Sequence, residues 1–168
     1  MILTRTELIE SLQKEVRILL HLASKIDRPM LEYRPTPKQR STIELLRYLS
    51  YMGPMLVRYA KQEKLDEAAW AAIVKEAEAR DFDQTLAAIG AHKDTYAALV
   101  GNMDDHAFRA EVPEFDGAKT SCGAFIVNHV LGQCAAYRTQ LFLYLKASGR
   151  EDLNTMNLWV GVDPPAAL

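Results

Sequence analysis

The chain contains one stretch that decides its fold, NHVLGQCAAYRTQLFLYL, which runs from Asn128 to Leu145. Within it His129, Gln133 and Tyr137 stand four residues apart, so an α-helix places all three on one side. Polar side chains inside an otherwise apolar helix need water, hydrogen-bonding partners or a ligand. The stretch therefore predicts a long bundle helix that carries a polar ladder, and this ladder is the candidate site.

Composition is that of an ordinary globular protein. The chain has 168 residues, 49% hydrophobic and 25% charged, with a formal net charge of −2. This length fits one domain over residues 1–168. Because no basic block occurs, we expect neither nucleic acid nor a membrane as a partner. No signal peptide and no run of roughly 20 apolar residues is present, so the expected location is the cytoplasm.

Helical patterns cover most of the chain. Capping boxes at Thr4 and Ser41, each with a glutamate three residues later, mark the starts of the first two helices. Apolar residues at helical spacing predict five helices, over residues 4–26, 41–62, 66–79, 84–103 and 120–148. Four long helices and one shorter one predict an all-α four-helix bundle with long crossover connections.

The connections are predicted from proline and glycine. Three prolines make residues 27–40 an extended connection, and residues 104–119 are irregular, with an extended segment and a tight turn over 112–117. Pro54 predicts a kink near residues 50–54 inside the second helix. The tail, residues 150–168, is predicted to be irregular and to pack over the bundle.

Three isolated polar residues and the cysteines are assigned structural roles. We expect Arg138 to form an ion pair with an acidic residue such as Glu44 or Glu32. His92 stands beside Lys93 and Asp94, so it is predicted to face solvent, and His21 is predicted to lie at the surface or core boundary. The two cysteines lie twelve residues apart on one predicted helix, roughly 18 Å, which is too far for a disulfide.

The succession of several segments resembles the DinB/YfiT-like four-helix bundles. The segments are LEYRPTP at residues 31–37, RSTIELL at 40–46, FDG at 115–117, and the run from Asn128 to Gly149. They occur in the family's order over essentially the whole chain. The resemblance implies a DinB-like four-helix bundle with one extra short helix, and relatives commonly form homodimers.

The resemblance also implies a place for a metal site. Members of the family typically hold zinc or nickel with three histidines and use it in thiol-dependent transferase or isomerase reactions. Those three positions fall here on Tyr48, Gln133 and Tyr137, and His129 matches a further histidine that is not a usual ligand. A neutral phenol has a pKa of about 10 and an amide binds transition metals weakly. We therefore predict a degenerate site without a metal cofactor.

The altered site leaves several functions open. Tyr48, His129, Gln133 and Tyr137, joined by Tyr51, could form a neutral cavity for a small polar ligand. The alternative that we favour is that these groups hydrogen-bond one another and only bridge two helices. A transferase-type enzyme with an altered centre is a further alternative. The last is a homodimeric interaction protein, with the alanine-rich face of residues 68–79 or exposed parts of the long helices in the contact.

Overall fold

The computed structural model describes residues 3–64 and 66–165 and shows an all-α bundle with one small hairpin. A 3-10 helix, Arg28–Glu32, follows the first α-helix. In chain order the elements are α1 (Arg5–Ala23), α2 (Thr42–Ala60), α3 (Glu67–Ala79), α4 (Phe82–Gly101), α5 (Asp105–Arg109), β1 (Glu111–Pro113), β2 (Lys119–Ser121), α6 (Cys122–Phe125), a π-helix (Ile126–Leu131), α7 (Gly132–Ala147) and α8 (Thr155–Trp159). The predicted all-α bundle is confirmed.

The core lies between α1, α2, α4 and the last helical run, and the closest packing is that of α1 and α2 against α4. Both predicted capping boxes are present, with Thr4 and Ser41 accepting from backbone N–H groups and the N3 glutamates bonding back. The apolar stripe of α1 is buried as its spacing predicts. α3 contacts mainly α2 and therefore lies at the edge of the bundle.

Pro54 lies inside α2 without ending the helix. The carbonyl oxygen that receives no N–H from this proline is hydrogen-bonded by a buried histidine instead. A proline at position 54 has no N–H to donate to the carbonyl oxygen of Ser50, four residues earlier. Nε2 of His92 on α4 lies 3.0 Å from that oxygen and Nη1 of Arg80 lies 3.4 Å from it. Burial lowers the pKa of His92 to about 4, so the ring stays neutral and donates from Nε2. The predicted solvent-facing position of His92 is wrong, since only 6% of the residue is exposed.

Gly53, the residue before Pro54, leaves space for the large buried side chain of Tyr96. An ideal Cβ placed on Gly53 would lie 2.0 Å from the hydroxyl oxygen of Tyr96, so only glycine leaves room for this tyrosine. Tyr96 is 1% exposed, and burial together with the neighbouring Cys134 thiol raises the pKa of its hydroxyl well above the usual value. Burial raises the pKa of the Cys134 thiol to about 12, and both cysteines are free. α2 and α4 therefore approach closely at Gly53.

The connections contain more structure than the prolines and glycines predict. The 3-10 helix lies within the connection that was predicted to be extended, because proline is well accommodated in a first helical turn. The predicted irregular region holds α5 and an antiparallel hairpin in which Val112 pairs with Thr120. The tight turn of the hairpin is confirmed, with Gly117 at φ +87°.

The last long helix is not one regular α-helix. Ser121 caps it as predicted, and Gly149 follows its end at φ +108°. Between α6 and α7, however, Ile126–Leu131 forms a π-helix. Hydrogen bonds from i to i+5 widen that turn by one residue, so His129 is displaced relative to Gln133 and Tyr137. The stretch is helical as predicted, but it is not one straight α-helix, since His129 lies in the π-helix and Gln133 and Tyr137 lie in α7.

The tail also differs from its prediction. Residues 155–159 form α8, whose Asn157 is 1% exposed. Nδ2 of Asn157 donates to Nε2 of His21 at 3.1 Å and to Oδ1 of Asp163 at 3.0 Å, which fastens the tail to α1. This contact explains the boundary position of His21. Residues 166–168 lie outside the described part. Within the described ranges, no helix combines the length and apolar character of a membrane span.

Candidate functional site

The candidate site lies where α2 faces α7. Nε2 of Gln133 donates a hydrogen bond to the hydroxyl oxygen of Tyr48 at 3.2 Å. The rings of Tyr48 and Tyr137 meet edge to face with centroids 5.3 Å apart, and Tyr51 lies 5.7 Å from Tyr48 in the same manner. The structure thus brings together four of the five predicted site residues, from two helices that are far apart in the chain.

The phenols of Tyr48 and Tyr51 stay protonated near neutral pH. Burial, with the neighbouring Tyr137 hydroxyl adding to it, raises the pKa of Tyr48 to about 12. Burial also raises the pKa of Tyr51, and the Arg40 guanidinium partly opposes the shift. Both groups are therefore neutral hydrogen-bonding side chains that can donate and accept.

His129, the fifth predicted residue, belongs to a different set of contacts. Its Nε2 bonds to the carboxylate of Glu114 in the hairpin turn. Its ring packs against Phe125, with centroids 4.4 Å apart, and against Phe115, with centroids 5.0 Å apart. In the described part of the chain, His129 makes no hydrogen bond or ring contact with the tyrosine cluster, and its contacts are with the hairpin turn and Phe125.

A cavity of about 290 Å³ opens directly beside the cluster. Its polar groups are Gln133, Tyr48 and His129, and its apolar walls are Met52, Leu56, Trp70 and Phe115. The two aromatic walls come from peripheral elements, Trp70 from α3 and Phe115 from the hairpin turn. The sequence contained no signal for either, because nothing in the spacing of α3 or of the turn relates them to α7.

A second cavity, of about 370 Å³, lies on the other side of Tyr48. It is lined by Arg40, Glu44, Arg47, Tyr48, Tyr51 and Glu78. The guanidinium carbon of Arg40 lies 4.1 Å from the centroid of the Tyr48 ring, a cation–π contact. Tyr48 is therefore the common wall of an aromatic cavity and a charged one.

Arg138 does not take part in either cavity. Its Nη1 lies 3.1 Å from Oε1 of Glu15 on α1, so the predicted ion pair with an acidic residue is present, but its partner is neither Glu44 nor Glu32. The Arg138 side chain is 4% exposed and that of Glu15 is 12% exposed. Burial raises the pKa of Glu15, with the Arg138 charge opposing the shift. The pair joins α1 to α7 on the side of the helix away from Tyr48.

The donor groups of the site do not fit zinc or nickel. A protonated phenol and an amide are poor ligands for either metal, and Nε2 of His129 already bonds to Glu114. Among residues 3–64 and 66–165, no three histidine, cysteine, aspartate or glutamate side chains come together as a metal site would require. The chemistry of the cluster is that of hydrogen bonding to a neutral or weakly polar group.

Comparison with solved structures places the fold. The chain is similar to the crystal structure of a DinB-like protein, YjoA, from Bacillus subtilis, with a TM-score of 0.64 over 86% of this chain and 93% of that one. This chain has the DinB-like fold. At 14% sequence identity the likeness shows the DinB-like architecture and carries no site residue across. No family model and no curated protein matches the sequence.

Proposed function

We propose that this DinB-like protein binds a small molecule with an apolar or aromatic body and a polar group, without a metal ion. The ligand occupies the 290 Å³ cavity between α2 and α7. This volume is close to the lower end for small-molecule pockets, about 300 Å³, so the cavity suits a ligand of one ring rather than several. Trp70 and Phe115 contact the body of the ligand, and Gln133 contacts its polar group.

The amide of Gln133 carries the proposal. Its nitrogen donates to Tyr48 at 3.2 Å, which orients the side chain. Its oxygen accepts no hydrogen bond from any residue that the structure describes, and Gln133 lines a cavity whose walls are mostly apolar. An oriented acceptor in an apolar concavity is the arrangement by which pockets select a ligand that donates a hydrogen bond.

The same hydrogen bond supports a second role, in which the polar residues only bridge α2 and α7. A bridge stabilises the fold and needs no ligand, whereas a binding site loses affinity when Gln133 is replaced. A net contribution of about 1 kcal/mol is expected from one such hydrogen bond. The two roles therefore differ in what the replacement of Gln133 changes.

Tryptophan fluorescence reads out binding at this cavity. The chain has two tryptophans, and a Trp159→Phe background leaves Trp70 in the cavity wall as the reporter. Trp159 lies over Arg138, away from the cavity, so the substitution does not alter the site. We expect 3-phenylpropionamide, which offers a ring and a donating amide, to change the Trp70 emission in a saturable manner.

Two matched glutamine variants separate binding from bridging. Gln133→Leu removes the free acceptor, and Gln140→Leu is the control, because Gln140 on the same helix also donates to a tyrosine hydroxyl, that of Tyr144 at 2.6 Å. Under the proposal only Gln133→Leu weakens the titration, by about tenfold. If both variants lose stability and neither wild type nor variant shows saturation, the residues form a structural bridge.

A further inference from the structure

The charged cavity beside the aromatic one contains two guanidinium groups with spare hydrogen-bonding capacity. Neither Arg40 nor Arg47 has a carboxylate oxygen within 4.0 Å among the described residues. Nε of Arg47 donates to the backbone oxygen of Arg80 at 2.8 Å, which fixes the direction of this side chain and leaves its terminal nitrogens free. Arg40 is held by its stacking on Tyr48. Both donors are therefore oriented without being neutralised.

The carboxylates of that cavity leave a net positive potential. Glu44 is engaged by the backbone N–H of Ser41 at 2.8 Å and by Nη2 of Arg34 at 3.2 Å, and these contacts lower its pKa. Arg34 does not line the cavity, so it compensates the charge of Glu44 from outside. Glu78 is the remaining carboxylate and lies on the exposed face of α3. Two guanidinium charges thus face one uncompensated carboxylate, which favours an anion with a single charge over one with two.

The two cavities meet at Tyr48, and Tyr51 links them further. Tyr51 lines the charged cavity, and its ring makes an edge-to-face contact at 6.3 Å with Trp70, a wall of the aromatic cavity. Because Tyr48 lines both cavities, a ligand that uses both of them passes this side chain. Arginine donors suit a carboxylate because the guanidinium fork matches the geometry of its two oxygens.

We infer that the ligand of this protein is an aromatic monocarboxylate. The ring lies in the aromatic cavity between Trp70 and Phe115, and the carboxylate reaches past Tyr48 to Arg40 and Arg47. This inference rests on the proposed function. It keeps the aromatic body and the hydrogen-bond donor that faces Gln133, and it adds a carboxylate as a further group of the ligand.

Calorimetric titration of the full chain tests the inference with a homologous series. Benzoate, phenylacetate, 3-phenylpropionate and 4-phenylbutyrate differ only in the distance from ring to carboxylate, and the primary amide of each is its neutral control. We expect one acid of the series to bind about tenfold more tightly than its amide, since charge-assisted hydrogen bonds to arginine distinguish the two. Arg40→Gln with Arg47→Gln is expected to abolish this preference.

Arg17→Gln is the matched control, because Arg17 is exposed on α1 and lines neither cavity, while its loss changes the net charge in the same direction. This variant is expected to keep the preference for the acid. If acids and amides bind equally, or if the preference survives in the double arginine variant, the inference is overturned and the proposed function stands. If no member of either series binds, both are overturned.

Discussion

Replacing Gly53 by alanine tests the close approach of the Tyr96 side chain to α2. The new methyl group would lie 2.0 Å from the Tyr96 hydroxyl oxygen, so the tyrosine must retreat by at least about 1 Å. Overpacking of this kind costs about 1–3 kcal/mol. Alanine gains about 1 kcal/mol over glycine in a helix interior. The expected net loss is therefore up to about 2 kcal/mol.

A double-mutant cycle assigns the loss to the hydroxyl. In a Tyr96→Phe background the nearest ring atom is Cζ, at 3.2 Å from the added Cβ, so most of the clash disappears. There, Gly53→Ala is expected to be nearly neutral or slightly stabilising, which gives a coupling energy of about 1–3 kcal/mol. Urea unfolding, followed by helical circular dichroism, measures the free energy of unfolding of all four proteins.

Gly90→Ala is the control for helix propensity. Gly90 lies inside α4, and the nearest atom to its added Cβ is a flexible one, Cδ1 of Leu20 at 3.8 Å. This variant is expected to be stabilised by about 0.5–1 kcal/mol. The steric reasoning is refuted if Gly53→Ala is stabilised to the same extent, or if its loss is unchanged after Tyr96 has been replaced.

Four further predictions concern stability, metal content and assembly. The pKa of His92 is about 6.5 in the unfolded chain and about 4 in the folded protein. The free energy of unfolding should therefore fall by about 2–3 kcal/mol as the pH is lowered from 6.5 to 4. His92→Gln should remove this pH dependence when stability is measured along an acid titration. Glu15→Gln should cost about 2–4 kcal/mol in urea, because Arg138 is left as an uncompensated buried charge, and exposed Glu10→Gln should change stability by less than about 0.5 kcal/mol. After incubation with zinc or nickel and dialysis, elemental analysis should find metal far below one equivalent; a full equivalent would refute the reading of Tyr48 and Gln133 as non-ligands. Light scattering should give twice the chain mass of 18.9 kDa, and a monomer mass would contradict the predicted homodimer.

At His92, helical spacing alone is enough to predict a buried position. His92 lies in register with Ile89, Tyr96 and Leu99, all inward-facing residues of α4, so helical periodicity alone places it in the core. Its charged neighbours Lys93 and Asp94 suggested solvent instead, although adjacent residues on a helix point in different directions. Periodicity is the stronger signal because it reports the face of the helix, whereas neighbouring charges report only the local composition.

Local chemistry determined the helices of this protein. A capping hydroxyl and a glutamate three residues later satisfy backbone groups within one turn, so Ser41 and Glu44 start α2 wherever that helix lies. Apolar spacing likewise determines which face is buried, and the polar residues Gln133 and Tyr137 could be assigned to one side of α7. Tyr48 could be added only through the family resemblance, which supplies the register between the helices.

Only the tertiary structure decided what surrounds those residues. Trp70 and Phe115 reach the cavity because α3 and the hairpin pack beside α2 and α7, and no local rule links positions so far apart in the chain. The contact between His129 and Glu114 likewise joins the π-helix to the hairpin turn, fifteen residues earlier in the chain, and no local rule predicts it. Helix formation is set by interactions within a few residues, whereas a binding cavity depends on contacts between elements, which exist only once the chain is folded.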